Sequence, residues 1–339
     1  MEAFPNPRRA AEIYADFWFN SDPLSLGALR GYIILLDFWD YSCHSCLRTL
    51  PYLQEWHRRY ADFGLVTIGV HAPEFPFAQD PGNVSKAIEK LGIRYPVAMD
   101  NEFLTWSAFG TRVWPTKFLI DKNGFVRYRQ EGEGFYQNME HTIQALLVEA
   151  GYRGDYPGVM EPIRESDVQG ALCYRVTPEI LTGYQRGTVG NVEGSIPESV
   201  MEYRDPGFYL DGRIYLSGKW ISDRNYLKLE EPEGEEGYLA VTYHAREVNA
   251  VLKPEGEKNF QVFVSQDDAF LTPENKGTDI SIDGEGRSFL LITEPKLYNV
   301  VKNKEFGEHK LKLSSRSNGF AIYSISFVSC IIPEFVSSN

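Results

Sequence analysis

Hydrophobic positions in the first 150 residues follow two alternating patterns. Short continuous apolar runs rich in β-branched residues are typical of buried strands. Four such runs occur, at 32–36, 65–70, 96–99 and 116–120. Apolar residues at helical spacing follow the first run, from Leu47 to Trp56, and recur in 84–91 and 137–149. Because strands and helices alternate, the sequence predicts a sheet covered by helices, an α/β first domain over residues 1–151.

The pattern changes after residue 151. Residues 152–168 are polar, contain Gly and Pro and show no sustained period, which predicts a linker. From residue 169 onward, short β-type runs alternate with turns rich in Gly, Pro and Asp. These runs include 238–243, 260–264 and 320–327. The sequence therefore predicts a second, all-β domain over 169–339, an antiparallel β-sandwich or jelly roll.

Composition limits the classes of function. A chain of 339 residues with 43% hydrophobic residues is long enough for two packed domains. The formal net charge of −13 disfavours nucleic acid as a partner, since binding to phosphate backbones rests on concentrated Lys and Arg. The longest apolar runs are far shorter than the roughly 20 residues that cross a bilayer, so no transmembrane segment is expected. The first residues lack the features of a secretory signal, and the chain as given is expected to be cytoplasmic.

A Cys-x-x-Cys pair lies where the first predicted strand gives way to a helix, within residues 37–46 (DFWDYSCHSC). Unpaired backbone N–H groups and the helix dipole stabilise an anion at such a position. We therefore expect Cys43 to be the nucleophilic thiolate and Cys46 the resolving thiol of a redox-active disulfide. Half a zinc site is the alternative, but Cys173 and Cys330 are single and distant, so neither a metal nor a cofactor is expected.

Several motifs in the first domain resemble the thioredoxin family. Residues 36–39 (LDFW) resemble its central strand, and residues 113–124 (VWPTKFLIDKNG) resemble its cis-proline loop and following hairpin. Residues 69–75 (GVHAPEF) and 81–84 (PGNV) are most similar to the TlpA/ResA branch, and within it to the extracytoplasmic region of DipZ-type proteins. The resemblance covers most of residues 15–150. It implies a thioredoxin fold and a thiol-disulfide oxidoreductase that acts on protein thiols, protein disulfides or a redox partner protein.

The resemblance also implies roles for two residues outside the cysteine pair. Asp37 lies six residues before Cys43, as the buried proton-relay aspartate of thioredoxins does, and burial in an apolar strand is expected to raise its pKa. Pro115 corresponds to the family's cis-proline, with the backbone of Trp114 facing an extended substrate. A structural carboxylate and an ordinary turn proline are the competing interpretations.

Other positions near the cysteines each have two open interpretations. Glu74 either lies near the cysteines, as a glutamate can in TlpA/ResA-like proteins, or is a solvated loop charge. His44 either tunes the thiolate or is an exposed side chain without a role. Three aromatic residues either line the substrate groove or belong to the core. They are Trp39, Tyr41 and Trp106. The residue types do not decide whether the pair reduces or oxidises its targets.

Two further resemblances concern the ends of the chain. Residues 17–31 resemble the extra N-terminal hairpin of the TlpA branch, and the second domain resembles the carbohydrate-binding-module-like, galactose-binding-like sandwich of DipZ-type proteins. The motifs that carry the latter are 177–184, 248–252 and 319–323. It implies a glycan or protein ligand, with Trp220, Tyr226, Tyr243 and Tyr298 either stacking on it or in the core. DipZ-type proteins carry this region outside the membrane, so a chain trimmed from one is expected to be extracytoplasmic. If the protein is in a reducing compartment, Cys173 and Cys330 are expected to be buried free thiols.

Two other functions compete with disulfide exchange. Peroxiredoxins share the fold but have a Pro-x-x-x-Thr-x-x-Cys pattern, and Leu36 and Asp40 stand at those proline and threonine positions. A thiol-dependent peroxidase is therefore the less favoured enzyme. The other alternative is a glycan- or protein-binding module whose cysteines act only locally. The intact cysteine pair and Pro115 favour the oxidoreductase.

Overall fold

The computed structural model describes residues 8–168, 174–231, 234–256 and 259–329. The chain divides into two compact units, Met1–Gln169 and Gly170–Asn339. The segment 152–168, which the sequence predicts to be a linker, lies in the first unit directly after its last helix, α4 (Tyr136–Ala150), and we call it the post-α4 segment. None of the helices among the described residues is both long enough and apolar enough to cross a membrane.

The first unit is a seven-stranded sheet flanked by helices. Its strands are β1 (Arg8–Arg9), β2 (Phe17–Phe19), β3 (Ile33–Trp39), β4 (Leu65–His71), β5 (Val97–Met99), β6 (Thr116–Ile120) and β7 (Phe125–Glu131). Its helices are α1 (His44–Tyr60), α2 (Pro81–Leu91), α3 (Leu104–Ala108) and α4 (Tyr136–Ala150). The strand order is β1-β7-β6-β3-β4-β5-β2, with β3, β4 and β5 parallel and the other pairings antiparallel. This mixed sheet is the thioredoxin fold that the sequence predicts.

The central strand β3 is buried along its whole length, because helices and loops cover both faces of the sheet. Leu36 and Phe38 point into one core, together with Ile68 and Val70 of β4. The helices α1 and α4 pack against β4 and β3, and their buried residues belong to the opposite face. Asp37 and Trp39 alternate with Leu36 and Phe38, so they point towards that helix-covered face.

Three local predictions differ from the structure. The described N-terminal residues, 8–31, form no hairpin, since β1 pairs with β7 and β2 pairs with β5, at opposite edges of the sheet. Asn123-Gly124, in the turn after β6, is a pair typical of hairpin turns in which both residues have a positive φ, but only Gly124 has one here. Helix α2 begins at Pro81 rather than at residue 84, because Asp80 accepts a hydrogen bond from the Gly82 N–H and caps it.

The second unit contains only strands among its described residues. They are β8 (Ile180–Leu181), β9 (Val200–Tyr203), β10 (Ile214–Ser222), β11 (Leu227–Leu229), β12 (Gly237–Pro254), β13 (Phe260–Gln266), β14 (Ala269–Phe270), β15 (Ile280–Ile282), β16 (Ser288–Ile292), β17 (Lys296–Ser315) and β18 (Phe320–Val328). The long strands β12 and β17 pair along most of their length, and β12 also pairs with β10 near its start and with β18 near its end. A single hydrophobic core receives side chains from both parts of β12, including Leu239 and Ala250.

Candidate active site

The two cysteines lie at the beginning of α1, in the loop that follows β3. Cys43 is the N-cap residue, with extended backbone angles, and its Sγ accepts a hydrogen bond from the backbone N–H of Cys46 at 3.2 Å. Their sulfur atoms are at disulfide-bonding distance, and their Cα atoms are 5.3 Å apart. Cys43 is 9% exposed and Cys46 is 3% exposed. The helix start therefore places Cys43 outermost, where backbone N–H groups stabilise its thiolate.

A buried carboxylate shapes the loop in front of Cys43. The Asp40 side chain is completely buried, and its Oδ1 accepts hydrogen bonds from the Ser42 N–H at 2.6 Å and the Ser42 hydroxyl at 2.5 Å. Its Oδ2 accepts from the backbone N–H of Glu74 at 2.9 Å and lies 3.7 Å from His71 Nε2. Sequence reasoning missed this role. The Asp-x-Ser spacing is typical of an Asx turn, but the contact with the loop after β4 has no local signal.

Asp37 and Lys117 face each other across β3 and β6. They are directly opposed in the antiparallel register, Asp37 is 1% exposed, and Lys117 is completely buried. Burial raises the pKa of Asp37 to about 7, against an opposing effect of Lys117, and burial lowers the pKa of Lys117. The Lys117 ammonium donates to the Gly132 carbonyl at 2.9 Å. Sequence reasoning did not assign Lys117, although a lysine inside an apolar strand is a signal.

The peptide bond between Trp114 and Pro115 is cis. Because Phe38 and Thr116 are register partners, Pro115 lies beside the C-terminal end of β3, where the loop to the cysteines begins. The Pro115 carbonyl accepts from the Gly132 N–H at 2.8 Å, and the Trp114 indole donates to the Ala72 carbonyl at 2.9 Å. The cis-proline loop is thus tied to both neighbouring loops.

His44 is half-buried between the two cysteines. Burial lowers its pKa to about 3, and the charges of Arg48 and Arg164 lower it as well. The imidazole is therefore neutral at physiological pH, and it does not act on the thiolate as a cation. Arg48 itself forms an ion pair with Glu133 at 2.7 Å.

The other predicted site residues divide between the site and the core. Glu74 contributes its backbone N–H to Asp40, and its side chain is half-buried. Trp39 is 2% exposed and belongs to the core, which rules out a rim position. Tyr41 is also buried and stacks on His71 with ring centroids 5.7 Å apart. Trp106 is half-buried beside Trp114, at a centroid distance of 4.4 Å.

The post-α4 segment contacts α1 close to the cysteines. Arg48 Nη2 donates to Ser166 Oγ at 2.8 Å, and the Tyr52 hydroxyl donates to Asp167 at 2.8 Å. The Ile163 N–H in turn donates to the Tyr52 hydroxyl at 2.7 Å. The sequence predicts a free linker here, but these hydrogen bonds hold the segment on the active-site helix.

The second unit buries most of the aromatic residues that the sequence offers for stacking. Trp220, Tyr243 and Tyr298 lie in its core, and Tyr226 is half-buried against Tyr323. Three of the four are therefore not available for stacking on a ligand. Cys173 and Cys330, for which free thiols are expected, lie outside the described residues.

Comparison with known proteins finds similarity in both units. A model of the AhpC/TSA family matches residues 15–129, and a model of the thioredoxin-like C-terminal domain matches residues 177–327. Protein DipZ of Mycobacterium tuberculosis is 35% identical over 240 residues, which cover 69% of this chain and 33% of DipZ. The chain thus spans about a third of the length of this curated relative.

Two shorter relatives match the first unit. Thiol-disulfide oxidoreductase ResA of Geobacillus thermodenitrificans is 35% identical over 117 residues, covering 34% of this chain and 64% of ResA. Thiol-disulfide oxidoreductase YkuV of Bacillus subtilis is 26% identical over 132 residues, covering 39% of this chain and 88% of YkuV. The match to YkuV therefore extends over most of that protein.

Proposed function

We propose that this chain, a TlpA/ResA-like thioredoxin protein related to DipZ and a thiol-disulfide oxidoreductase, exchanges disulfides with protein partners through Cys43 and Cys46. One observation carries the proposal above the others. The two sulfurs are at disulfide-bonding distance at the start of α1, and the cis-proline loop lies at the same end of the sheet. An extended polypeptide that binds to the main chain of the cis-proline loop would therefore lie beside the nucleophile.

The exchange proceeds in two steps. In the first, the Cys43 thiolate attacks a target disulfide, and one target sulfur bonds to Cys43 while the other leaves as a thiolate that takes up a proton. In the second, Cys46 loses its proton, attacks Cys43 Sγ and releases the remaining target thiol. Two electrons pass from the cysteine pair to the target. The same steps in reverse oxidise a target dithiol.

Asp37 is the proposed carrier of the proton in the second step. It points to the helix-covered face of β3, and its Oδ1 has no hydrogen-bond partner in the described part of the chain. Burial raises its pKa to about 7, so both protonation states are populated near neutrality. The carboxylate takes the proton from Cys46 and returns it to the departing thiol.

Two exposed apolar side chains lie on segments next to the cis-proline loop. Val113, just before the cis peptide bond, is 41% exposed, and Phe135, at the start of α4, is 60% exposed. Gly132, close to Phe135 in the chain, donates to the Pro115 carbonyl. We propose that these two side chains contact apolar residues that flank the target cysteine, while main-chain groups near Trp114 bind the extended target.

A peroxidase is not proposed, although the AhpC/TSA family model matches the first unit. Where the peroxiredoxin pattern has a threonine hydroxyl, this chain has Asp40, whose two oxygens accept hydrogen bonds from Ser42 and Glu74. A carboxylate whose two oxygens already accept these hydrogen bonds has no hydroxyl hydrogen to donate to a peroxide.

For the second unit we propose a jelly-roll, galactose-binding-like sandwich that binds a partner and carries no catalysis. Its all-strand architecture around one core supports this proposal. A protein partner of the first unit is favoured over a glycan, because the aromatic residues considered for stacking on sugars are mostly buried.

The reduction of insulin disulfides tests the proposed activity on the full chain. The reduced wild-type protein is expected to reduce insulin, and Cys43→Ser is expected to abolish the reaction. Cys173→Ser is the matched control, and it should retain wild-type activity. Reduction by Cys43→Ser at the wild-type rate would contradict the proposal. The reduction potential of the pair then decides the direction, with about −270 mV indicating a reductant and about −120 mV an oxidant.

A further inference from the structure

The partner of a buried carboxylate determines how easily that carboxylate exchanges protons. On β4, the register partner of Asp37 is Gly69, which has no side chain. A Cβ at Gly69 would lie 2.9 Å from Trp39 Nε1 and 3.2 Å from the Tyr95 ring, so these two rings fill the space on that side. On β6, the register partner is Lys117. Any counter-charge next to Asp37 in the sheet therefore comes from β6.

Lys117 is also connected, through Gly132, to the cis-proline loop. Its ammonium donates to the carbonyl of Gly132 at 2.9 Å, and the N–H of the same glycine donates to the carbonyl of Pro115. The following residue, Glu133, forms an ion pair with Arg48 of the active-site helix at 2.7 Å. A chain of contacts thus runs from the lysine beside Asp37 to the cis-proline loop and to α1.

We propose that Lys117 is a positioning residue for the exchange reaction, holding a counter-charge opposite Asp37 and anchoring it to the loop beside the cis-proline. This inference rests on the proposed function and deepens it. When Cys46 gives up its proton in the second step, the proton moves to the Asp37 carboxylate. Lys117 favours the ionised form of that carboxylate beforehand, so that it can accept the proton, and the proton then leaves with the released target thiol.

Few other titratable groups face this pair in the described part of the chain. Tyr95 faces Asp37, and both burial and Asp37 raise the pKa of its hydroxyl, so it stays neutral. Glu133 acts on Lys117 from the loop after β7 and favours its charged form. The cysteines form the disulfide in this structure. Lys117 is therefore the cation that acts on Asp37 from within the sheet.

A two-phase reaction with dithionitrobenzoate separates the two steps in the full-length protein. The first release of thionitrobenzoate reports attack by Cys43, and the second reports attack by Cys46 on the mixed disulfide. Lys117→Gln retains a donor for Gly132 without the charge, and Lys117→Met removes both. Lys117 lowers the pKa of Asp37. Both variants are therefore expected to shift the pH midpoint of the second phase upward by about one unit, which is about a tenfold slower second phase at pH values below the midpoint.

The controls distinguish this role from a structural one. The first phase should be unchanged in both Lys117 variants. Asp37→Asn should abolish the pH midpoint of the second phase, and adding Lys117→Gln to Asp37→Asn should change nothing further. Lys122→Met, on the same hairpin with its ammonium bonded to the Glu149 carbonyl, is the matched control and should behave as wild type.

The outcomes separate the two proposals. A second-phase midpoint in Lys117→Gln that coincides with that of the wild type would overturn the role of Lys117. Absence of both phases in the wild type would overturn the proposed function itself. If the Lys117 variants do not fold, the wild type still provides the test, because the side-chain NMR signals of Lys117 should inflect at the midpoint of the second phase. No inflection there would contradict the inference.

Discussion

The carboxylate of Asp40 accepts a hydrogen bond from the backbone N–H of Glu74 at 2.9 Å, and this bond joins the loop before the nucleophile to the loop after β4. The same carboxylate holds Ser42, the residue before Cys43. The position of the nucleophile is thus fixed by a buried acid that takes no part in the electron transfer.

Replacing this acid should loosen the active-site loop. Asp40→Ala leaves the buried N–H groups of Ser42 and Glu74 without their acceptor, which costs about 1–3 kcal/mol for a buried donor. We expect a lower free energy of unfolding in urea and slower insulin reduction per folded molecule. Asp80→Ala, which removes the exposed cap of α2, is the control and should weaken stability without slowing exchange. Equal exchange rates in the wild type and Asp40→Ala would mean that Asp40 does not position Cys43 for the reaction.

His44 should remain neutral in the folded protein throughout the physiological range. Burial lowers its pKa to about 3, whereas the unfolded chain has an ordinary value near 6.5. Between these values the unfolded state binds a proton that the folded state does not, so stability is lost as the pH falls below about 6.5. His44→Gln should reduce this loss between pH 7.5 and pH 5 in urea unfolding. His141→Gln, at an exposed position of α4, should not. A pH dependence equal to that of the wild type in His44→Gln would contradict the neutral imidazole.

The post-α4 segment should behave as part of the first unit. Tyr52→Phe removes the hydroxyl that donates to Asp167 and accepts from the Ile163 N–H. We expect a loss of about 1–3 kcal/mol in unfolding free energy and faster hydrogen exchange in residues 158–168. Tyr128→Phe, whose hydroxyl donates to Gln130 instead, is the control for loss of a hydroxyl. Unchanged exchange in 158–168 would mean that these hydrogen bonds do not hold the segment.

Much of the first unit could be predicted from sequence because its signals are local. Buried strands have continuous apolar runs, and the strand-to-helix break marks the position of Cys43. Lys117 and Asp40 could not be assigned in this way. Lys117 meets Asp37 only through the register of β3 and β6, and Asp40 meets Glu74 across 34 residues of chain.

One error and one alternative left open by the sequence also have physical causes. The post-α4 segment lacks a hydrophobic period, and side-chain hydrogen bonds from α1 and α4 hold it, which no periodicity reveals. In the second unit, Tyr243 alternates in step with Leu239 and Val241 along β12, and all three are buried. The period of two in that strand places Tyr243 on the core face, which favours the core interpretation over stacking on a ligand.

Trapping the mixed disulfide tests the central claim most directly. Reduced Cys46→Ser protein is treated with dithionitrobenzoate, and the adduct is located by peptide mapping with mass spectrometry. The account predicts a persistent thionitrobenzoate adduct on Cys43 in this variant, whereas the wild type releases a second thionitrobenzoate and closes the Cys43–Cys46 disulfide. Rapid release of the adduct by Cys46→Ser, or an adduct that forms on Cys46 in Cys43→Ser as fast as on Cys43 in Cys46→Ser, would contradict it.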